Sequence, residues 1–188
     1  GRLIKKNVFL DIRNKKKLSK ELIKANPDII FHLAAQPLVK KSYLKPEYTY
    51  DVNFNGTLNL LNICKKIRNL KSLIVVTTDK CYLNHNKKKS FKENDALGGF
   101  DPYSSSKACV EILTQGYYKS FYEGKVGVAT ARAGNIIGGG DWSEDRIIPD
   151  LINSYRNKRF LILRNPNYTR PWLYIMDIIN GYLTLAEK

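Results

Sequence analysis

Apolar and polar positions along this chain fall into two kinds of block. Ile29-Ile30-Phe31-His32-Leu33, Ser72-Leu73-Ile74-Val75-Val76-Thr77 and the stretch from Val126 to Ala131 are short, rich in β-branched residues and almost continuously apolar. Ser72 to Thr77 is the clearest strand, and its continuous rather than alternating apolarity predicts a strand covered on both faces, as in a parallel sheet. The first of these runs follows Asn26-Pro27-Asp28, a turn signal. Between the runs, apolar residues recur on one side only. Pro46 to Arg68 predicts a helix, because Pro46 and Glu47 suit a first turn and Val52, Leu60, Leu61 and Ile67 share a side. Asp101-Pro102 starts a second helix, over Tyr103 to Tyr122. Ile147 to Asn157 and Ile175 to Glu187 read as two more helices, with Phe160-Leu161-Ile162-Leu163 as a short strand between them. Residues 84–100 read as a polar loop and Gly138-Gly139-Gly140 as a flexible turn.

The order β-α-β-α-β-α, without internal repeats, predicts an α/β fold: a doubly wound, Rossmann-like parallel sheet with right-handed crossovers. Composition agrees. Hydrophobic residues make up 43% and charged residues 26% of the 188, enough for a packed core. No apolar run approaches the roughly 20 residues that span a bilayer, and Gly1 to Lys6 lacks the pattern of a signal peptide. Cys64, Cys81 and Cys109 form no CxxC pair, so neither a zinc site nor a disulfide framework is expected, and a reducing cytoplasm is. The formal charge of +15 resides in clusters such as Lys15-Lys16-Lys17, Lys40-Lys41, Lys65-Lys66 and Lys87-Lys88-Lys89. Such a field would attract anions. The clusters are not interleaved with aromatics, so they read as solvated surface rather than a nucleic-acid platform.

Three stretches can do chemistry. Tyr103 and Lys107 are four residues apart, so a helix projects both from one face. A phenol is a poor base at neutral pH, and a nearby ammonium favours the phenolate, so the pair could take a proton from a hydroxyl. Thr77-Thr78-Asp79-Lys80-Cys81-Tyr82 ends the clearest strand, and ligands in open α/β sheets collect at the carboxyl ends of strands. A hydroxyl, a carboxylate and an amine in succession there could orient, protonate and deprotonate a polar substrate. A polar turn capped by Asp79 is the bland alternative. In Phe31-His32-Leu33-Ala34-Ala35-Gln36 the small residues would let a flat cofactor approach the backbone, or simply let a helix pack on a strand; His32 reads as a core or rim histidine.

These features occur in a fixed order, and with them the chain resembles the extended short-chain dehydrogenase/reductase family over nearly its whole length. The resemblance rests on Phe31 to Val39, Thr78-Asp79-Lys80-Cys81-Tyr82, Asp101-Pro102-Tyr103-Ser104 with Lys107, Arg132 to Trp142, and Arg170-Pro171-Trp172. Lys80 stands where the TDP-glucose and GDP-mannose 4,6-dehydratases of the family carry glutamate, which points to the CDP-glucose branch. The resemblance implies an NAD-dependent dehydration of CDP-glucose or a related nucleotide-sugar. Tyr103 would be the base at the C4 hydroxyl, Lys107 would hold the nicotinamide ribose, and Thr78 would bond the C4 oxygen. Asp79 would protonate the departing C6 hydroxyl, and Lys80 would be a base at C5 or an orienter of one. It places Asp11 and Ile12 at the adenine, and Leu33, Ala34 and Gln36 along the cofactor. Asn135, Arg146 and Arg170 fall near the sugar-nucleotide, with Asp141 and Trp142 in the same loop. Sugar-nucleotide epimerases and decarboxylases of this fold are the alternative, and a basic nucleic-acid-binding domain is another.

The family opens with a glycine-rich turn that holds the cofactor pyrophosphate at a helix N-terminus. No GxGxxG or GxxGxxG occurs here. The expectation is an internal fragment, inactive alone, with residues 1–140 as a partial NAD-binding domain and 141–188 as the beginning of a substrate-binding region. A homodimer is expected, paired through the helices after Pro46 and around Tyr103.

Overall fold

The computed structural model describes residues 3–85, 90–143, 145–163 and 165–188, so the Lys87-Lys88-Lys89 cluster lies outside the described residues. Its centre is a parallel sheet of three strands in the order β1 (Ile29–His32), β2 (Ser72–Val76), β3 (Gly127–Ala131). These are the three apolar runs. Leu73, Ile74 and Val75 in the middle strand are each no more than 1% exposed, so β2 is covered on both faces as its unbroken apolarity demands.

Seven helices are described around the strands. α1 is Lys15–Ala25, α2 Val39–Leu44, α3 Pro46–Tyr50, α4 Gly56–Cys64, α5 Pro102–Tyr117, α6 Ile147–Arg156 and α7 Ile175–Glu187. Leu60, Leu61 and Cys64 of α4, with Ile67 and Leu70 just beyond, pack with Leu73 and Val75 of β2, Val110 of α5 and Tyr122. This cluster is the core.

The helix expected over Pro46 to Arg68 is instead α3 and α4 joined by a π-helical turn, Asp51–Asn55. The extra residue in that turn accompanies a buried Asn53, whose side chain bonds the Gln36 backbone and Ser106. Gly56 follows, and a Cβ there would sit 2.6 Å from Ile12 Cγ2, so glycine is what lets the segment before α1 lie against α4.

α1 and α2 have no counterpart in the sequence reading. α1 buries no residue fully and is mostly lysine; Asn14 caps its start and Asn26, at φ 43°, ends it in the left-handed conformation. A second small parallel sheet pairs β4 (Asn135–Ile137) with β5 (Trp172–Tyr174). Phe160 to Leu163 is not a strand: Phe160 is 99% and Ile162 87% exposed. An apolar run becomes a strand only against an open edge, and the edge of β4 is taken by β5.

Among the described residues no helix is long and apolar enough to cross a membrane. None of their His, Cys, Asp or Glu side chains cluster in a group that could hold a metal ion. All three cysteines are free thiols.

Candidate functional site

Because β1, β2 and β3 run parallel, their carboxyl ends open on one edge of the sheet. β2 to β3 pairing continues past the strands, with Thr77 N donating to the Ala131 carbonyl at 2.8 Å and Asp79 N to that of Ala133 at 3.1 Å. This holds the Thr77–Asp79 backbone firmly. Thr78, in extended conformation, then caps a tight turn over Asp79–Cys81: its Oγ1 accepts from Lys80 N at 3.3 Å and donates to Asp79 Oδ1 at 3.1 Å.

α5 delivers Tyr103 to the same corner. Asp101 caps the helix by accepting from Ser104 N at 2.9 Å and from Ser104 Oγ at 2.6 Å. Gly99 makes this approach possible, since a Cβ there would lie 2.6 Å from Ser105 N. The Tyr103 N–H donates to Ser42 Oγ at 3.1 Å, tying the start of α5 to α2.

The Tyr103 phenol is buried, and burial pushes its pKa above the ordinary tyrosine value. The Thr78 side chain opposes this by hydrogen bonding, the Asp79 carboxylate adds to it, the Arg146 guanidinium opposes it, and Asp101 adds to it. Thr78, Asp79, Arg146 and Asp101 are thus the groups near enough to act on the phenol. Arg146, at the start of α6, is itself held by Asp141, with Nη1 donating to Oδ2 at 2.7 Å.

Lys107 lies at the end of β2. It is 6% exposed, and its ammonium donates to the Val76 carbonyl at 3.0 Å. Arg146 rather than Lys107 is the cation that pulls the phenol down, and the phenol's net shift is upward because desolvation outweighs both. The four-residue spacing does put both side chains on one helix face. The longer lysine reaches past the tyrosine to the end of β2. Burial lowers the Lys107 pKa to about 8, against the opposing pull of Glu111 and Cys81.

The other expected site residues divide into those at this edge and those away from it. Leu33, 60% exposed, and Ala34, also exposed, follow β1. Lys80 is exposed in the turn beside Asp79. Gln36 turns inward: it is 3% exposed, its Nε2 donates to Leu38 O and Thr49 Oγ1 at 3.1 and 3.0 Å, and its Oε1 accepts from Leu38 N at 2.7 Å. These bonds shape the loop after β1.

His32 is buried with Nε2 2.9 Å from Thr57 Oγ1, and burial together with the Lys107 charge brings its pKa to about 4, so it is a neutral core histidine.

Asp11 lies before α1, bound by Arg13 through Nε, Nη2 and the backbone N–H, which holds its carboxyl down at about 2. Arg13 also reaches Asp51 at 3.2 Å, so the Asp11-Ile12 segment is anchored to the π-turn before α4. Asn135 is half-buried and starts β4. Arg170 is exposed, its guanidinium 5.2 Å over the Tyr168 ring. Among the described residues no hydrogen bond or ion pair ties Arg170 to the Tyr103 corner. Trp142 is 57% exposed.

Sequence reasoning missed a polar layer beneath the corner. Glu111 of α5, 3% exposed, accepts from Thr77 Oγ1, from Thr130 Oγ1 at 2.7 Å and from Arg132 Nη2 at 2.8 Å. The signal was available: Glu111 is four residues beyond Lys107, on the same helix face as Tyr103 and Lys107.

The geometry can therefore do acid–base work on a polar ligand. A hydroxyl and a carboxyl act together on a buried phenol, a guanidinium acts on it as well, and an ammonium lies at the adjoining strand end.

Comparison with known proteins adds independent information. Residues 2–188 match the NAD dependent epimerase/dehydratase family. A CDP-glucose 4,6-dehydratase of Salmonella typhimurium is 42% identical over 184 residues, covering 95% of this chain and 51% of that protein. A dTDP-D-glucose 4,6-dehydratase of Dictyostelium discoideum is 37% identical over 172 residues, covering 86% of this chain and 38% of that protein. The crystal structure of a dTDP-glucose 4,6-dehydratase from Bacillus anthracis in complex with NAD superposes with a TM-score of 0.82 at 27% identity, over 96% of this chain and 54% of that one. The chain thus spans about half the length of the known relatives it matches.

Proposed function

This chain belongs to the NAD dependent epimerase/dehydratase family, and from that premise we propose that the whole protein converts CDP-glucose to CDP-4-keto-6-deoxyglucose. That reaction serves nucleotide-sugar metabolism, for deoxyhexoses and surface polysaccharides. One observation supports the reading: Thr78 Oγ1 donates to the Asp79 carboxyl at 3.1 Å, and both residues lie near enough to the Tyr103 phenol to act on its charge. Dehydration across neighbouring carbons of one hexose needs a base at one carbon and an acid at the next, both within reach of a single ring.

The residues present fit NAD. The carboxyl ends of parallel strands form the usual crevice for it. Leu33 and Ala34 leave the end of β1 open, and the Lys107 ammonium has one acceptor, Val76 O, for its three donors. Lys107 would hold the nicotinamide ribose there, and Asp11 and Ile12 the adenine. When bound, NAD would supply the hydride-transfer chemistry for transient oxidation at C4 and reduction at C6.

The chain's own residues handle the protons. Tyr103 takes the C4 hydroxyl proton through its phenolic oxygen, and Thr78 Oγ1 donates to the C4 oxygen to keep it aligned. The ketone formed at C4 acidifies the C5 hydrogen. Asp79 gives its proton to the C6 hydroxyl, which leaves as water. Lys80, as the base or as the orienter of a water that serves as one, takes the C5 proton, and a proton returns to C5 once C6 has received its hydride. Arg146 borders the same space, and Asn135 and Arg170 serve the sugar-nucleotide, where a guanidinium can fork onto phosphate oxygens.

Residues 1–140 would form the NAD-binding part and 141–188 the beginning of the substrate region. A homodimer through the helices after Pro46 and around α5 is proposed as well, supported by exposed Tyr48, Tyr50, Ile112 and Phe121. A cytoplasmic site is supported by the three free thiols.

The test is incubation of the full-length protein with CDP-glucose, TDP-glucose and GDP-mannose in the presence of NAD. A 4-keto-6-deoxy product from CDP-glucose, lost in Tyr103→Phe, is expected. A 4-epimer, or no product from any of the three, overturns the reading.

A further inference from the structure

We propose that Glu111 is a positioning residue of this site, locking α5 onto the ends of β2 and β3 and so setting Thr78 and Lys107 for reaction; the inference rests on the dehydratase reading above. A carboxylate taken out of water is costly unless its oxygens are fully paired, and apolar residues would fill a helix–sheet interface more cheaply. Glu111 is 3% exposed, and its partners come from both strands that end at the site. Thr77 Oγ1 donates to one carboxylate oxygen; Thr130 Oγ1 at 2.7 Å and Arg132 Nη2 at 2.8 Å donate to the other.

Thr77 is the residue directly before Thr78. Tyr103, Lys107 and Glu111 stand four residues apart on one face of α5. The carboxylate therefore joins the element that carries the phenol and the ammonium to the element that carries the hydroxyl and the acid. Arg132 is fixed in turn, with Nη1 donating to Glu93 O at 2.9 Å and its guanidinium 4.9 Å over the Tyr82 ring.

The same charge acts on Lys107. Four groups face its ammonium: the Val76 carbonyl from β2, Cys81 from the turn after it, His32 from β1 and Glu111 from α5. His32 is neutral above about pH 4, and burial pushes the Cys81 thiol up to about 12, so among these Glu111 supplies the negative charge at neutral pH. With its own pKa lowered to about 8 by burial, Lys107 loses its proton close to working pH. Removing the Glu111 charge extends that loss to lower pH.

The experiment uses the full-length protein with NAD and CDP-glucose, and the variants Glu111→Gln, Glu111→Asp, Thr77→Val and, as a surface control, Glu123→Gln. Glu111→Gln is expected to lower kcat about 10- to 100-fold with KM changed less than about threefold, as for a misplacement that leaves binding intact. The alkaline limb of its kcat profile should move down by about one pH unit. Glu111→Asp should bring the limb back toward that of the parent, Thr77→Val should lower kcat without moving it, and Glu123→Gln should match the parent.

A second readout needs no substrate: titration of the Lys107 side chain by lysine-labelled carbon NMR, with the midpoint falling in Glu111→Gln. Parent-like kcat and pH limb in Glu111→Gln overturn the proposal, and so does an unmoved Lys107 midpoint. If Glu111→Gln does not fold, a parent-like kcat in Thr77→Val overturns it. If the parent turns over no nucleotide-sugar, the dehydratase reading falls by itself and the Lys107 midpoint still decides whether Glu111 sets the charge.

Discussion

Two residues at the site face opposite environments, and each has a measurable consequence. His32 is buried and neutral, with its pKa lowered from 6.5 to about 4 by burial and by Lys107. The folded state then resists a proton that the unfolded chain takes up. This stabilisation is complete above about pH 6.5 and is lost as pH falls from there toward 4. By pH 5 the loss is about 2 kcal/mol relative to pH 7. Urea unfolding at the two pH values, in the parent and in His32→Gln, should show that much less pH dependence in the variant; equal dependence would mean His32 is protonated inside the fold. Lys80 is exposed in the Asp79–Cys81 turn. If it takes the C5 proton, Lys80→Ala should slow exchange of the C5 hydrogen with solvent by about 100-fold or more, read by deuterium incorporation during turnover. Exchange at the parental rate would leave Lys80 only the task of orienting a water or another group. Both residues could be picked out in the sequence, His32 by its place in an apolar run and Lys80 by its neighbours. Their exposures could not, because these depend on which helix covers which strand end.

At the scale of elements, α5 matters most to the site, and its start is built from side chains that a sequence can display. Asp101 accepts from Ser104 N and Ser104 Oγ, and its carbonyl accepts from Ser105 Oγ at 2.8 Å. Asp101→Ala removes the cap and should cost about 1 kcal/mol. Asp101→Asn keeps an acceptor and should cost only a few tenths of that scale. Because Tyr103 is two residues further on, kcat should fall in the alanine variant more than in the asparagine one. Urea midpoints and kcat measured side by side check this, and equal behaviour of the two variants would show that the cap does not hold the phenol. Asp101-Pro102 announced this helix start and the apolar run of β2 announced its strand, since both signals are local. What was not legible depends on distant partners. α1 gains its place by Leu22 packing on a core formed mainly by α4 and β2. The π-turn Asp51–Asn55 is fixed by the need of Asn53 to meet Gln36 and Ser106. Phe160 to Leu163 carries strand-like residues and has no edge to join. Arg132 belongs to a stretch that carries the resemblance, yet its bond to Glu111 depends on β3 and α5 lying together.

Over the whole molecule the parallel architecture followed from apolar pattern alone, whereas the distribution of charge required the structure. Lys and Arg number 32 against 17 Asp and Glu, leaving a formal +15. The pairs Lys6–Glu21, Lys71–Asp28 and Lys119–Glu123 lie at the surface, where an ion pair contributes little. Among the described residues Arg132–Glu111 is the ion pair shielded from water, with side chains 17% and 3% exposed. Most of the excess positive charge is therefore spread over an exposed surface and repels itself. Salt shortens the reach of that repulsion from about 30 Å at 0.01 M to about 8 Å at 0.15 M. The folded state holds these charges closer together than the unfolded chain does, so screening should stabilise it. The melting temperature should rise by a few degrees, about 3 to 5 °C, between 10 and 200 mM NaCl. Sodium sulfate at equal ionic strength separates the causes. Screening alone gives the same rise with either salt, whereas a larger rise with sulfate means that an anion-specific effect, binding at the lysine clusters or exclusion from the surface, adds to screening. A melting temperature that stays flat or falls over this range would show that the excess lysines are already too far apart to act on one another.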